Sequence, residues 1–206
     1  GGEELEVSLR GKSFGAAELT AELPAGQASG VMDQLDLYRD WIGANDYHAS
    51  LSQDGRVLLV TSSKKIARRR MKLVEETLES FDGLLSPPDQ TGSNGTFNRL
   101  GSSVGGPGSA QAPVVLVEVR KEQEYRSLLT GLGAAREDLA SLVHQYSQRP
   151  GFSEEQCTAA IWQEAPADME VGKVWRSENE LVNRLVRLLV FRSYGPQPTW
   201  LSVAAA

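Results

Sequence analysis

The sequence predicts an α+β fold in which a mixed, partly antiparallel sheet carries packed helices. The turn chemistry Gln53-Asp54-Gly55 stands between two strand-like runs, 47–51 and 57–61, which reads as a hairpin. Two continuous apolar runs, Pro113 to Val119 and Thr158 to Gln163, have the composition of strands buried on both faces. Helix-spaced stretches follow these runs, so the order from the hairpin onward is strand, helix, strand, helix, strand, helix.

With 206 residues and 40% apolar content, the chain suits one sizeable domain, or one and a small appendage. The formal charge of -6 gives no global pull toward nucleic acid, and none is expected as a partner. No membrane span is expected either. No apolar run nears the roughly 18 residues a membrane helix needs, and the densest stretch, Leu185 to Phe191, is interrupted by Arg187. Cys157 stands alone, which excludes an intrachain disulfide and a cysteine-based metal cluster. The chain opens at Gly1-Gly2, and Trp200 to Ala206 reads as the start of a helix without a cap. The expectation is a piece of a longer protein.

From the amino terminus, Leu5, Val7 and Leu9 alternate with polar residues and predict a short half-buried strand. Leu19 to Pro24 reads as a second short strand or an irregular segment. Leu35, Tyr38 and Ile42 recur near helical spacing within 31–42. Residues 1–46 are thus expected as a strand-and-helix segment ahead of an α/β domain over 47–206. Ser62 or Ser63 caps a helix running to about Leu85, with Ile66, Leu73, Val74, Leu78, Phe81 and Leu85 on one stripe. Pro87-Pro88 ends it. Its opening turns carry the basic run Lys64, Lys65, Arg68, Arg69, Arg70 and Lys72. That run is expected as the wet face of the helix or, functionally, as an interaction module over 64–72. Cations there oppose the helix dipole, so the placement is mildly costly.

Gln90 to Ala112 is rich in Gly, Ser, Asn and Pro, and is expected as a flexible surface loop. Glu122 to Leu132 and Arg136 to Tyr146 are expected as helices. The two histidines, His48 and His144, lack a second His at ligand spacing and read as surface or packing residues. Cys157 reads as a small core residue. Glu154, Glu155 and Glu164 define no catalytic pair from sequence.

The most ordered local grammar lies between Ser177 and Trp200. Ser177 and Glu180 have the spacing of a capping box. Leu181, Val182, Leu185, Val186, Leu188 and Leu189 then form a wide apolar face, and Tyr194-Gly195-Pro196 stops the helix. Glu180, Asn183, Arg184 and Arg187 occupy the opposite stripe.

This segment resembles the active-site region of gluzincin-type zincin metallopeptidases, where H-E-x-x-H on a helix is followed by a second helix opening W-L-x-E-G-x-A. Here the corresponding residues read Asn183-Arg184-Leu185-Val186-Arg187 and Trp200-Leu201-Ser202-Val203. The helix "LVEETLESFDGLL", the strand "VVLVEVR" and the helix "EYRSLL" add a likeness to a little-characterised bacterial family of zincin-like proteins. The resemblance covers roughly Tyr47 to Ala206 and implies the amino-terminal half of a zincin domain. It sets the expected context as an exported bacterial protein, periplasmic or extracellular.

The departures decide the expected chemistry. Zinc takes imidazole, thiolate or carboxylate donors about 2 Å from the metal. The resemblance puts Asn183, Arg187 and Val203 at the ligand positions and Arg184 at the general base. A guanidinium neither accepts a proton nor binds a cation. No metal or other cofactor is expected. The expected function is a non-catalytic, pseudopeptidase-like or structural domain that holds a peptide or protein along a sheet edge. The alternatives are an active metallohydrolase-like protein whose ligands come from elsewhere, and the interaction module on the basic helix.

Overall fold

The computed structural model describes residues 5–23, 25–84, 112–135, 151–154, 159–163 and 177–194. The chain opens with a tight hairpin, β1 (Val7–Leu9) and β2 (Lys12–Phe14), paired antiparallel with Leu9 opposite Lys12. Its two turn residues, Arg10 and Gly11, have φ of 51° and 79°. Positive φ at both central positions is the turn that matches strand twist, and glycine takes the second without strain.

Helix α1 (Ala16–Glu22) follows, where a strand or irregular segment was expected at Leu19 to Pro24. The reason is local. The Gly15 N–H donates to the Glu18 carboxylate at 3.2 Å and the Leu19 N–H to the Gly15 carbonyl at 2.9 Å, which closes a first helical turn. Leu19 then points into the core. Helix α2 (Ala25–Asn45) is longer at both ends than its apolar spacing suggested, and buries Val31, Leu35, Tyr38 and Ile42.

The hairpin β3 (His48–Leu51) and β4 (Val57–Thr61) forms around the expected turn. Asp54 orders that turn by accepting from the Ser52 hydroxyl at 2.7 Å and the Arg56 N–H at 3.0 Å. Helix α3 (Lys64–Leu84) starts at Ser63, whose hydroxyl accepts from the Ile66 N–H at 3.2 Å. Then come β5 (Val114–Val119), α4 (Glu122–Ala135), β6 (Gly151–Glu154), β7 (Ala159–Gln163) and α5 (Ser177–Tyr194). Strand β6 had no counterpart in the sequence reading.

Among the described residues the strands form one seven-stranded mixed sheet in the order β2-β1-β3-β4-β5-β7-β6. Strands β4, β5 and β7 run parallel at its centre, while β3 and β6 are antiparallel to their inner neighbours. Alternation along these strands makes two cores. On one face Leu58, Val60, Val115, Val117 and Ile161 pack under α2 and α4. On the other Val57, Leu59, Leu116, Ala160 and Trp162 pack under α3 and α5. Both faces are covered, which is why β4 and β5 read as unbroken apolar runs. Residues from segment 1–46 supply two strands of this sheet and much of the first core, so they share it with residues 47–206.

Among the described residues no helix is long and apolar enough to cross a membrane. The expected loop over 90–112, apart from Ala112, lies outside the described residues. So do the expected helix 136–146, His144, Glu155, Cys157, Glu164 and Val203.

Candidate polar site under helices α3 and α5

Glu118 is the fifth residue of β5, and alternation turns it to the same face as Val114 and Leu116. A carboxylate there must find a partner or lose its charge. The partner is Arg70, which lies one turn of α3 before the buried Val74. Arg70 Nε donates to Glu118 Oε2 at 2.9 Å and Nη2 to Oε1 at 3.0 Å, a two-pronged contact with side chains 7% and 2% exposed. Arg70 Nη1 also lies 2.9 Å from Glu178 Oε1 in the first turn of α5, and Arg69 pairs with the same carboxylate. Burial works against the Arg70 charge, but Glu118 and Glu178 outweigh it and hold the guanidinium protonated more firmly than usual. Burial likewise opposes the charge on Glu178. Its own amide and the Arg70 and Arg69 cations prevail, and its carboxyl sits below the usual range.

This corrects the reading of the basic run. Lys64, Lys65, Arg68, Arg69 and Lys72 are exposed, but Arg70 belongs to the interior. It is unavailable to an interaction surface over 64–72.

Trp162 on β7 pairs in register with Glu118 and is buried under α5. Its indole N–H has no hydrogen-bond partner among the described residues. The guanidinium carbon of Arg184 lies 5.7 Å from the Trp162 ring centre, in the range of a cation–π contact. Arg184 Nε donates to Glu180 Oε1 at 2.6 Å, one turn back along α5.

The positions singled out by resemblance to zincins thus fall on α5. Asn183, Arg184 and Arg187 are all half-buried along one side of the helix, and the apolar face with Leu181, Leu185 and Leu188 is packed on the sheet. Val203, the fourth position, lies outside the described residues. These side chains do not fit a zinc ion. Two are guanidinium groups, and Arg184 is tied to Glu180. His48 sits on β3, paired with Thr61, whereas α5 packs on β5 and β7. Among the described residues no group of three or more His, Cys, Asp or Glu is placed to hold a metal.

A second polar knot lies on the other helical layer at the same end of the sheet. Tyr47 precedes β3, and its hydroxyl donates to Glu124 Oε2 at 2.6 Å while accepting from the Arg120 N–H at 2.9 Å. Trp41 lies against its ring, with centroids 4.5 Å apart, and Arg120 stands 5.1 Å from the ring centre. Burial, and then the Glu124 carboxylate, push the Tyr47 phenol up to about 12. Sequence reasoning missed this knot because Tyr47 and Glu124 stand 77 positions apart. At the opposite end of the sheet, Arg56 bridges Asp54 and Asp82. Burial and the Arg56 charge lower nearby Arg192 to about 10, and its guanidinium donates to the Ala112 carbonyl.

No family model, no curated protein and no solved structure matches this chain.

Replacing Arg70 by Met leaves the Glu118 carboxylate buried without its main partner. Urea unfolding should show a loss of about 3–5 kcal/mol, the range for a broken buried pair. The double variant Arg70→Met, Glu118→Leu should recover most of that loss. A double variant as unstable as Arg70→Met alone would mean that the loss comes from packing and not from charge.

The Tyr47 phenol ionises at about 12, above the ordinary value of 10.0 in an unfolded chain. A raised folded value favours the neutral form. Its contribution to stability is therefore complete below pH 10 and lost as pH rises toward 12. Difference absorbance of the parent against Tyr47→Phe should show one phenol titrating near 12. A difference titration centred at 10 would contradict the assignment.

Proposed function

We propose that this chain is a non-catalytic domain on a zincin-like scaffold, with a binding or structural role that needs no metal. The observation that carries the reading is the state of Arg184. Where the resemblance implies a general base, this side chain is a cation engaged with Glu180 and lying over Trp162. Neighbouring Arg187 adds a second guanidinium on the same side of α5. Together they place positive charge where a dication would have to bind, which disfavours metal-activated water. The neighbouring charges, buried Arg70 and Glu118 and half-buried Glu178, are spent on one another.

A partner would be an extended peptide or protein segment added as a strand. Strand addition needs a free edge and backbone groups, not catalytic side chains. Among the described residues strand β2 is last in the sheet order on its side, and Lys12 and Ser13 are exposed. The two-residue turn makes Leu9 and Lys12 the mutually hydrogen-bonded pair. Ser13 therefore directs its N–H and C=O away from β1.

Metal content tests the first half of the proposal. Elemental analysis after gel filtration should find no stoichiometric zinc, and about one zinc per chain retained against a weak chelator would overturn the reading. The combined variant Asn183→His, Arg184→Glu, Arg187→His, Val203→Glu should gain zinc affinity while remaining folded. A folded variant that binds zinc no better than its parent would remove the zincin-like geometry, leaving an ordinary amphipathic helix.

The edge tests the second half. Proline at an outward-facing edge position removes a donor yet is tolerated by the sheet. Ser13→Pro should weaken binding of a fluorescently labelled unfolded casein by about tenfold, the equivalent of roughly 1.4 kcal/mol, with little change in thermal unfolding. Equal binding by parent and variant would exclude β2 as the docking edge.

A further inference from the structure

The outer face of α3 carries a charge pattern that the helix's own stability does not explain. Lys65, Arg68, Lys72, Glu76 and Glu79 recur at spacings of three and four, and every one is exposed. The cations fill the amino-terminal half of the stripe and the carboxylates the other half. The helix dipole prefers the reverse, and α3 has no acid in its first turn and no base in its last. The ion pair within the stripe, Lys72 to Glu76 at 3.6 Å, runs in the weaker lysine-first order. Among the described residues Lys65, Arg68 and Glu79 have no ionic partner.

A nucleic acid, an anionic membrane or an acidic peptide laid along this stripe would be attracted by its first half and repelled by its second. The face fits a partner that is acidic at one end and basic at the other, with the same rise per residue. A second α3 running antiparallel has that pattern by symmetry. With a two-fold axis crossing the stripe between Lys72 and Glu76, Lys72 meets Glu76 of the second copy. Arg68 then meets Glu79 of the second copy, with Lys65 about one helical turn beyond it, and each contact occurs twice.

We propose that this chain pairs with a second copy of itself through the outer face of α3, the two helices antiparallel, the cationic half of each on the acidic half of the other. The contact is narrow and polar, well below the roughly 800 Å² per partner of a standard interface. The pairing is therefore reversible and sensitive to salt. It depends on neither the metal-free reading of α5 nor the β2 edge.

Sedimentation of the full chain tests it at about 20 mM and about 500 mM salt, where the screening length falls from roughly 20 Å to roughly 4 Å. The expected result is concentration-dependent dimer at low salt and monomer at high salt. Lys65→Glu with Arg68→Glu makes the stripe largely acidic, and Glu76→Lys with Glu79→Lys makes it basic. Each double variant should self-associate at least about tenfold more weakly than the parent. An equimolar mixture of the two should regain a dimer, because every opposed pair except Lys72 of the acidic variant against position 76 of the basic one is then of opposite sign. Far-UV circular dichroism matching the parent establishes that each variant is folded. A parent that stays monomeric at low salt overturns the proposal. So does a dimer that survives in both variants, or a mixture of folded variants that fails to associate.

Discussion

One carboxylate in a layer of valine and leucine governs how two helices sit on the sheet. Glu118 cannot turn away, because β5 is hydrogen-bonded on both sides and its alternation is fixed. Solvent is out of reach, so the charge needs a partner from the covering layer. Arginine suits that position better than lysine, since its planar fork meets both carboxylate oxygens. The Arg70 contact also fixes the rotation of α3 about its own axis. With Arg70 facing inward, Ala67, Val74, Leu78 and Phe81 face inward too, and the opposite stripe is left in water. Glu178 extends the constraint to the first turn of α5. A buried pair of this kind need not add net stability over an apolar pair of the same shape. Its contribution here is orientation.

Much of the fold was legible because each core strand and two of the helices announce themselves by period. The β3–β4 hairpin followed from turn chemistry, β5 and β7 from unbroken apolar runs, and α3 and α5 from stripes of three-to-four spacing. The first hairpin was legible only in its first strand, β1. Its turn begins with Arg10, a residue that rarely takes positive φ, so the usual Asn-Gly or Gly-Gly signal is absent. Helix α1 was misread because its start depends on the Gly15 backbone and Glu18, with no Ser or Thr at the cap. Arg70 was hidden by residue type. Amid Lys and Arg it looks solvated, although its spacing from Ala67 and Val74 already places it on the inward stripe. On α5 the Glu180–Arg184 pair was legible from its i,i+4 spacing, but not the contact of Arg184 with Trp162, which comes from a strand 22 positions earlier.

Polar side chains under α5 and beside Tyr47 share one physical habit. Tyr47, Arg70, Glu118 and Arg184 are each held by a charged neighbour or a backbone group, and most of these partners are themselves buried or half-buried, whereas the Trp162 indole N–H has no hydrogen-bond partner among the described residues. Groups held in this way are poor at moving protons, because changing the charge of one member strands the other. Catalytic sites usually keep a titratable group poised between two states. The pattern at these groups favours fixed geometry over proton transfer.

The first hairpin has a consequence for how the chain behaves in a crowd. Strand β3, with Ala49 and Leu51 turned to the core and partners on both sides, would be the sheet's last strand without β1 and β2. An uncovered strand of that composition is a template for unwanted pairing between chains. The hairpin replaces it with an edge three residues long, ended by a sharp turn and marked by an exposed lysine. Short, charged edges resist the extended stacking that leads to aggregates, while still leaving room for one short added segment. Strands β1 and β2 thus act as a guard on the sheet, and a chain trimmed to begin at the second helix would present β3 to its own kind as an open edge.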